Sequence, residues 1–390
     1  MRTAACPTVT SEPGMPERNS DDLFSDGRSV FGEACATLTV DLDALADNWR
    51  TTKKLSGKAE CGAVVKGNAY GTGIERAVPA LMKAGARTFF AATLGEARRV
   101  RACGGGEITI YVLNGLLPGT APVFKACDLQ PVLGSIAEIA EWREAGGGKA
   151  GLHVDTGMNR LGVDKGEVPL IAANPGFEVS LVLTHMACAD EPEHPLNARQ
   201  ISRFETARRA FPGVPASLAN SASIAWLKCA GDYDLSRPGI ALYGGEPIEG
   251  YDNPFKPVVR LDAPALLVRD VSAGDSVGYG ATWIAKHDCR IAVAGLGYAD
   301  GFHRSASVTG DAKPYHVVVN GRPAALAGRV NMDLLTIDVS GIEGVERGTP
   351  ITILGGPIPL SQTAAHYGTN VYEVLTALGA RYERRYIGTL

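Results

Sequence analysis

Residues 61–73 read CGAVVKGNAYGTG. A short apolar run, Ala63-Val64-Val65, stops at a lysine, and Gly67, Asn68, Tyr70, Gly71 and Gly73 follow. The apolar run has the length and branching of a buried strand. The residues after it are turn formers, and their glycines allow backbone or ligand to come close. Buried lysines are rare unless paired or functional. Read alone, Lys66 is either the first solvated residue after a strand or an amine held out of water to act as nucleophile or base. What surrounds this stretch along the chain decides between them.

Apolar segments and helical patterns alternate on both sides of it. Leu42, Leu45, Trp49 and Thr52 fall at helical spacing before the strand, and Ile74, Ala77, Val78, Leu81 and Met82 after it. Pro79 lies within the second face and predicts a kink or a late start. RTFFAA, ITIYVL, DLQPVL, GLHVDTG, VSLVLTHMA and PASLANSA are further strand candidates, and DLSRPGIALYGG closes the series. Between them, Thr93 with Glu96 and Ser135 with Glu138 have the spacing of capped helix starts. About eight β-rich units in roughly 220 residues predict a (β/α)8 barrel of the TIM type, assigned to residues 36–256. A doubly wound sheet competes, but no GxGxxG opens a helix near the start.

From about residue 257 the pattern becomes strand-like, with Gly, Pro and Asp turns, until SQTAAHYGTNVYEVLTAL near the end. Residues 257–390 are therefore expected to form a second, mostly β domain. Residues 1–35 are polar and rich in Pro, Ser and Asp, without the apolar core of a signal peptide, and are read as a flexible extension. The chain has 390 residues, 45% of them hydrophobic, and a net charge of −4. That is enough to bury full cores, and it argues against a nucleic-acid partner. No apolar run approaches the roughly 18 residues of a membrane span. Eight scattered cysteines without a CxxC pair point to a reducing, cytoplasmic setting and against a metal site.

Polar residues gather where the predicted barrel strands end: Lys66, Asp155, Thr184, His185, Asn220, Ser221 and Arg237. In such barrels that rim carries the chemistry. A lysine there has its pKa lowered by burial and nearby positive charge, and it can condense with an aldehyde, most plausibly that of pyridoxal phosphate. Ser221 and the amides of Gly239 and Ile240 are candidates for its phosphate. Equally, Ser221 caps a helix and Gly239 makes a turn. Arg160 and Arg237 lie in glycine-flanked loops, as an arginine recognising an anion or a ring nitrogen would. In the second domain, Tyr279 stands between glycines in VGYGATW, and Met332 and Asp333 follow a glycine turn in GRVNMD. Taken alone, Tyr279 is an edge-strand aromatic.

The colinear order of CGAVVKGNAYGTG, ATLGEARRVR, HVDTGMNRLG, LTHMACADE, NSAS, RPGIALYGG, VGYGATW, GLGYADGFHR, GRVNMD and NVYEVLTALGARYERRY resembles the alanine racemase family over residues 36–390. The resemblance implies a pyridoxal 5'-phosphate enzyme that interconverts L- and D-alanine through an external aldimine, with a role in D-alanine biosynthesis. It also implies a head-to-tail homodimer in which each site takes one barrel and the partner's β domain. Lys66 then corresponds to the cofactor-bound lysine and first base, and Tyr279, from the partner chain, to the second. Arg237 corresponds to the arginine facing the pyridine nitrogen, His185 to its support, and Arg160 to the arginine near the phenolic oxygen. Tyr70, Ser221, Gly239, Ile240 and Tyr372 correspond to the phosphate group's ligands, beside Asn220, and Arg160, Met332 and Asp333 to substrate-side residues. Two bases on opposite faces of Cα suit racemisation, and an arginine cannot readily protonate a ring nitrogen.

Three positions depart from the family pattern. His153 stands seven residues before Arg160, where the family usually has a lysine, often carbamylated; a bound anion or water is the expected substitute for its charge. Asn159 stands where glycine is common, and Asn331 where cysteine is common. These allow a broader or shifted substrate range, such as serine. A pyridoxal-phosphate decarboxylase would need a late catalytic cysteine motif and an acidic partner for the ring nitrogen. A non-catalytic carrier barrel would lack residues 257–390.

Overall fold

The structure is a computed structural model that describes residues 34–226, 232–310 and 312–388. The extension expected at 1–35 lies outside the described residues except for its last two positions. The described residues form two compact units, Leu42–Lys256 and Pro257–Gly388, and the segment up to Asp41 belongs with the second.

In the first unit, seven parallel strands lie side by side in chain order: Ala63–Val64, Thr88–Ala91, Thr109–Val112, Gln130–Leu133, Lys149–His153, Glu178–Leu183 and Ala216–Ser217. An eighth strand, Leu235–Ser236, closes the ring. It pairs in parallel with Glu60–Cys61, just before the first strand. It joins the seventh through Asp234 N–H to the Ala216 carbonyl at 2.9 Å and Arg237 N–H to the Ala219 carbonyl at 2.8 Å. The result is a (β/α)8 barrel. Its strands are buried on both faces, which is why they read as unbroken apolar runs rather than alternating ones; Phe89, Phe90 and Ala91 have no exposed surface.

The local helix signals act as written. Thr93 caps the helix Leu94–Gly104 through a reciprocal pair with Glu96, and Ser135 accepts the Glu138 N–H at the start of Ile136–Glu144. The helix Ile74–Ala84 starts before Pro79 and continues through it, so the alternative of a late start does not hold. The first strand also stops earlier than predicted, at Val64. Lys66 opens a turn rather than ending the strand.

The second unit is built on an eight-stranded sheet. Six of its strands close on themselves in the order Cys289–Ala294, Leu335–Asp338, Arg322–Leu326, His316–Val319, Pro350–Gly355 and Val259–Val271, the last pairing back to the first. The 13-residue strand Val259–Val271 makes this possible by pairing with different neighbours along its two halves. Thr37–Asp41 adds to its outer edge and Glu383–Ile387 lies beyond. Residues 36–41 are thus not part of the barrel, as the predicted boundary had them. Leu38 and Val40 alternate with Thr37 and Thr39, and they find full burial opposite Leu261 and Val259. The C-terminal helical stretch splits into Leu360–Tyr367 and Val371–Thr376 at Gly368, which takes a left-handed conformation. Among the described residues no helix is long and apolar enough to cross a membrane, and no cluster of His, Cys, Asp or Glu could hold a metal ion. The six described cysteines are free thiols; Cys6 and Cys229 lie outside the described residues.

Candidate active site

The chemistry-bearing residues of the first unit collect at the C-terminal ends of its strands. Lys66 follows the first. After it, Gly67, Asn68, Ala69 and Tyr70 have φ of 62°, 54°, 54° and 52°, a full turn of left-handed helix. For residues with a Cβ this costs roughly 1–2 kcal/mol each. The turn is held by backbone bonds from Ala69 to the Val65 carbonyl at 2.9 Å, Gly71 to Gly67 at 2.8 Å and Gly73 to Asn68 at 2.9 Å. Lys66 is exposed by surface area, yet the protein around its amine displaces enough water to lower its pKa. Burial is the largest cause; Arg160 and Arg237 act the same way, and Glu96 opposes them. An amine with a lowered pKa is partly unprotonated nearer neutrality, the form that attacks a carbonyl or takes a proton.

The turn delivers Tyr70 to the neighbouring rim segment that follows the eighth strand. Its ring stacks on Tyr243, with centroids 4.5 Å apart, and the Tyr243 hydroxyl donates to the Val64 carbonyl at 3.0 Å. Its hydroxyl lies over Gly239 so closely that a Cβ there would stand 2.2 Å from the oxygen. Only glycine fits. Ser221 Oγ accepts from Gly239 N–H at 2.9 Å and from Ala241 N–H at 3.4 Å. Ile240 opens a short 3₁₀ turn, Ile240–Tyr243, so its N–H has no acceptor within that turn. Asn220 has a structural role in this corner. Its Oδ1 accepts from Ser223 N–H at 2.9 Å and Ser223 Oγ at 3.0 Å, and so caps the helix Ser221–Trp226. Tyr70, Ser221, Gly239 and Ile240 thus form one cluster of hydroxyls and amides.

Arg237 is buried, and burial pushes its pKa down to about 10, which still leaves it charged at neutral pH. Its guanidinium donates to Ser217 Oγ and to the Thr184 carbonyl. The expected support from His185 is not a hydrogen bond to that guanidinium. His185 lies near enough that Arg237, Arg160 and Lys66, after burial, drive its pKa well below the ordinary histidine value. His153 ends the strand Lys149–His153 and is buried; burial, Arg237 and Arg160 hold its pKa at about 4, so it is neutral at pH 7. Among the charges that act on His153, Asp155 alone opposes the lowering.

Arg160 sits in a loop organised by Asp155, whose Oδ1 accepts from the backbone N–H groups of Gly157, Met158 and Asn159 at 2.8, 2.9 and 3.2 Å. Asn159 has a φ of 55°, and asparagine is among the few side chains that visit this region readily. Its replacement of glycine therefore leaves the loop intact.

The second unit presents its own candidates. Tyr279 lies at the tip of the hairpin formed by Ser276–Val277 and Trp283–Ile284, 71% exposed, between Gly278 and Gly280 at φ of 78° and 74°. It is a projecting tip residue, not an edge-strand aromatic. Met332 is 53% exposed. Asp333 forms an ion pair with Arg381 at 2.8 Å, and Arg381 also reaches Asp300 at 3.3 Å. Asn331 is half-buried, and its Oδ1 is buried without a hydrogen-bond partner. Tyr372 is on the helix Val371–Thr376, 40% exposed.

Sequence reasoning missed Tyr243 and Ser217, which hold Tyr70 and Arg237, and it placed Thr184 on the rim without the role of its carbonyl as an acceptor from Arg237. Their signal is tertiary: each acts through a contact with a distant part of the chain.

Comparison with known proteins identifies the family and the fold. The family model for the alanine racemase N-terminal domain matches residues 40–247, and that for the alanine racemase C-terminal domain matches residues 258–386. The alanine racemase of Methylobacterium nodulans is 45% identical over 362 residues, which cover 90% of this chain and 96% of that protein. The biosynthetic alanine racemase of Agrobacterium fabrum is 41% identical over 384 residues, 94% of this chain and 98% of that protein. A crystal structure of the Bartonella henselae alanine racemase, with covalently bound pyridoxal phosphate, matches with a TM-score of 0.84 at 34% identity, over 91% of this chain and all of that one. On its domain matches, its full-length relatives and its fold, this chain belongs to the alanine racemase family.

Proposed function

We propose that the protein is a pyridoxal-phosphate-dependent racemase that interconverts L- and D-alanine. The observation that carries this reading is the pairing, on one barrel rim, of an amine with a lowered pKa and a tight cluster of anion-binding groups. The cluster fits a phosphate: the Tyr70 hydroxyl lies against Gly239, beside Ser221 Oγ and the amides of Gly239 and Ile240. Arg237, buried and charged, suits the ring nitrogen, and Arg160 the phenolic oxygen. Bound there, the cofactor supplies an electron sink that acidifies the substrate's Cα hydrogen.

This chain's residues do the rest. Lys66 anchors the cofactor and then moves the proton on one face of Cα. Tyr279, supplied by a second copy of the chain, moves it on the other; its exposure at a hairpin tip supports a role outside its own protomer. Met332 and Asp333 accompany it on the substrate side, and Tyr372 on the phosphate side. This reading makes the working enzyme a homodimer, and we place it in the cytoplasm, where it supplies D-alanine. The domain limits we propose are 42–256 for the barrel and 257–390 for the β domain, with Thr37–Asp41 paired into the C-terminal sheet.

A second reading, a broader or shifted specificity toward serine, is supported by Asn331. It places an amide on the substrate side, where the family usually has a thiol. Chiral analysis of a panel of small amino acids incubated with the protein and pyridoxal phosphate tests both. Racemisation of alanine is expected; none of any amino acid refutes the function. Alanine turned over far faster than every other amino acid removes the second reading.

A further inference from the structure

The left-handed turn that follows Lys66 is not held by its own backbone alone. Glu96, half-buried on the neighbouring helix Leu94–Gly104, accepts the Asn68 N–H on Oε1 at 3.0 Å. Its Oε2 accepts the N–H groups of Ala92 at 3.1 Å and Thr93 at 3.3 Å, where the second barrel strand passes into that helix. One carboxylate therefore ties the turn to the adjacent strand–helix corner. Arg99, one helical turn on and on the same face, donates to Asn68 Oδ1 at 2.7 Å. Glu75 fixes that arginine with two bonds, at 2.7 and 2.8 Å. Asn68 Oδ1 also accepts the Ile74 N–H at 3.3 Å, where the next helix begins.

A capping box accounts for Glu96 bonding to Thr93. It does not account for the second oxygen reaching across to Asn68, or for an arginine clamped by Glu75 onto the Asn68 side chain. Both additional contacts converge on the second residue of a turn whose backbone is disfavoured for residues bearing a Cβ. Lys66 stands at one end of this turn and Tyr70 at the other. The distance between amine and phosphate cluster is thereby set by a conformation the segment does not prefer.

We propose that Glu96 is a positioning residue for Lys66 and Tyr70, with Arg99 and Glu75 as its support: it clamps the left-handed turn so that amine and hydroxyl engage the two ends of one cofactor. This rests on the reading of Lys66 as the cofactor lysine. Glu96 also opposes the burial and the arginines that lower the Lys66 pKa, so its charge has a signature distinct from its bonds.

The test uses holoenzyme of Glu96→Gln, Arg99→Met, Arg99→Lys and Lys66→Ala. Glutamine can still accept from Asn68 but turns a donor toward the Ala92 and Thr93 N–H groups. The readouts are the visible absorption of lysine-bound cofactor against pH, borohydride trapping of cofactor on Lys66 followed by mass spectrometry, and kcat and KM for alanine. We expect Glu96→Gln to lower kcat at least tenfold, to slow trapping, and to move the pH midpoint of the absorption downward. Arg99→Met is expected to lower kcat with no such movement of the midpoint, and Arg99→Lys to recover part of the loss. Folded Glu96→Gln enzyme with wild-type trapping, midpoint and kcat overturns the proposal. Should Glu96→Gln not fold, a wild-type kcat and trapping rate in Arg99→Met overturns it instead. Trapped cofactor and full activity in Lys66→Ala would instead overturn the reading of Lys66.

Discussion

Gly239→Ala is the substitution for which the structure makes the sharpest demand. The added Cβ would lie 2.2 Å from the Tyr70 hydroxyl oxygen and 3.0 Å from Cζ. Ordinary contact needs about 3.5 Å, so the hydroxyl has to retreat by roughly 1 Å. It has no easy retreat. Tyr70 is 4% exposed, stacks on a Tyr243 with no exposed surface, and hangs from the left-handed turn. Overpacking of this kind costs about 1–3 kcal/mol of stability. If the hydroxyl moves instead, a hydrogen bond to a charged phosphate is lost, about 1.5–3 kcal/mol, or roughly 10- to 150-fold in affinity. The assay is a titration of cofactor-free protein with pyridoxal phosphate and, in parallel, with pyridoxal. Pyridoxal phosphate binding should weaken by that factor and pyridoxal binding should change little. Tyr70→Phe removes the atom at 2.2 Å, so Tyr70→Phe with Gly239→Ala should be more stable than the sum of the single losses predicts. Equal affinity of Gly239→Ala and wild type for pyridoxal phosphate would refute the cradle, and additive stability losses would refute the contact.

Three further outcomes follow from the same geometry. Lys66→Ala should abolish racemisation and the absorption of lysine-bound cofactor; full activity without that amine ends the proposed mechanism. Tyr279→Phe should slow the two directions unequally when isotope exchange at Cα is followed, and small, equal losses would remove it as a base. His153, held neutral with a pKa of about 4 against an ordinary 6.5, binds its proton more readily in the unfolded chain. The stability difference between wild type and His153→Gln should therefore shrink as pH falls from 6.5 to 4, by on the order of 3 kcal/mol in all, in denaturant titrations at one protein concentration. A difference independent of pH over that window would show that His153 charges freely in the fold.

The barrel was legible because its strands are buried on both faces and its helices carry caps. Ala63-Val64, Phe89-Phe90-Ala91 and Ile110-Tyr111-Val112 are continuous apolar runs, and Thr93 and Ser135 act on residues three positions away. Such signals are local, so one chain segment contains them whole. Residues 36–41 were counted with the barrel because nothing within so short a segment names the partner it pairs with. Its burial is completed opposite Leu261 and Val259 and beside residues near the C-terminus. Asn220 was grouped with its neighbour Ser221 at a strand end, but its Oδ1 is turned to Ser223.

By itself the sequence determined the repeating strand–helix layout, the β-rich second unit, the order of motifs that marks the family, and the rim residues from which Lys66, Ser221 and Arg237 could be picked. Tertiary structure alone decided how those residues are held. Tyr70 meets Gly239, Arg237 meets Ser217 and the Thr184 carbonyl, and Glu96 meets Asn68 only after the barrel closes. Residues 67–70 show the difference most plainly. Glycine and asparagine announce a turn there, but a left-handed conformation at Ala69 and Tyr70 opposes intrinsic preference, and it persists because neighbouring elements bond to it from outside.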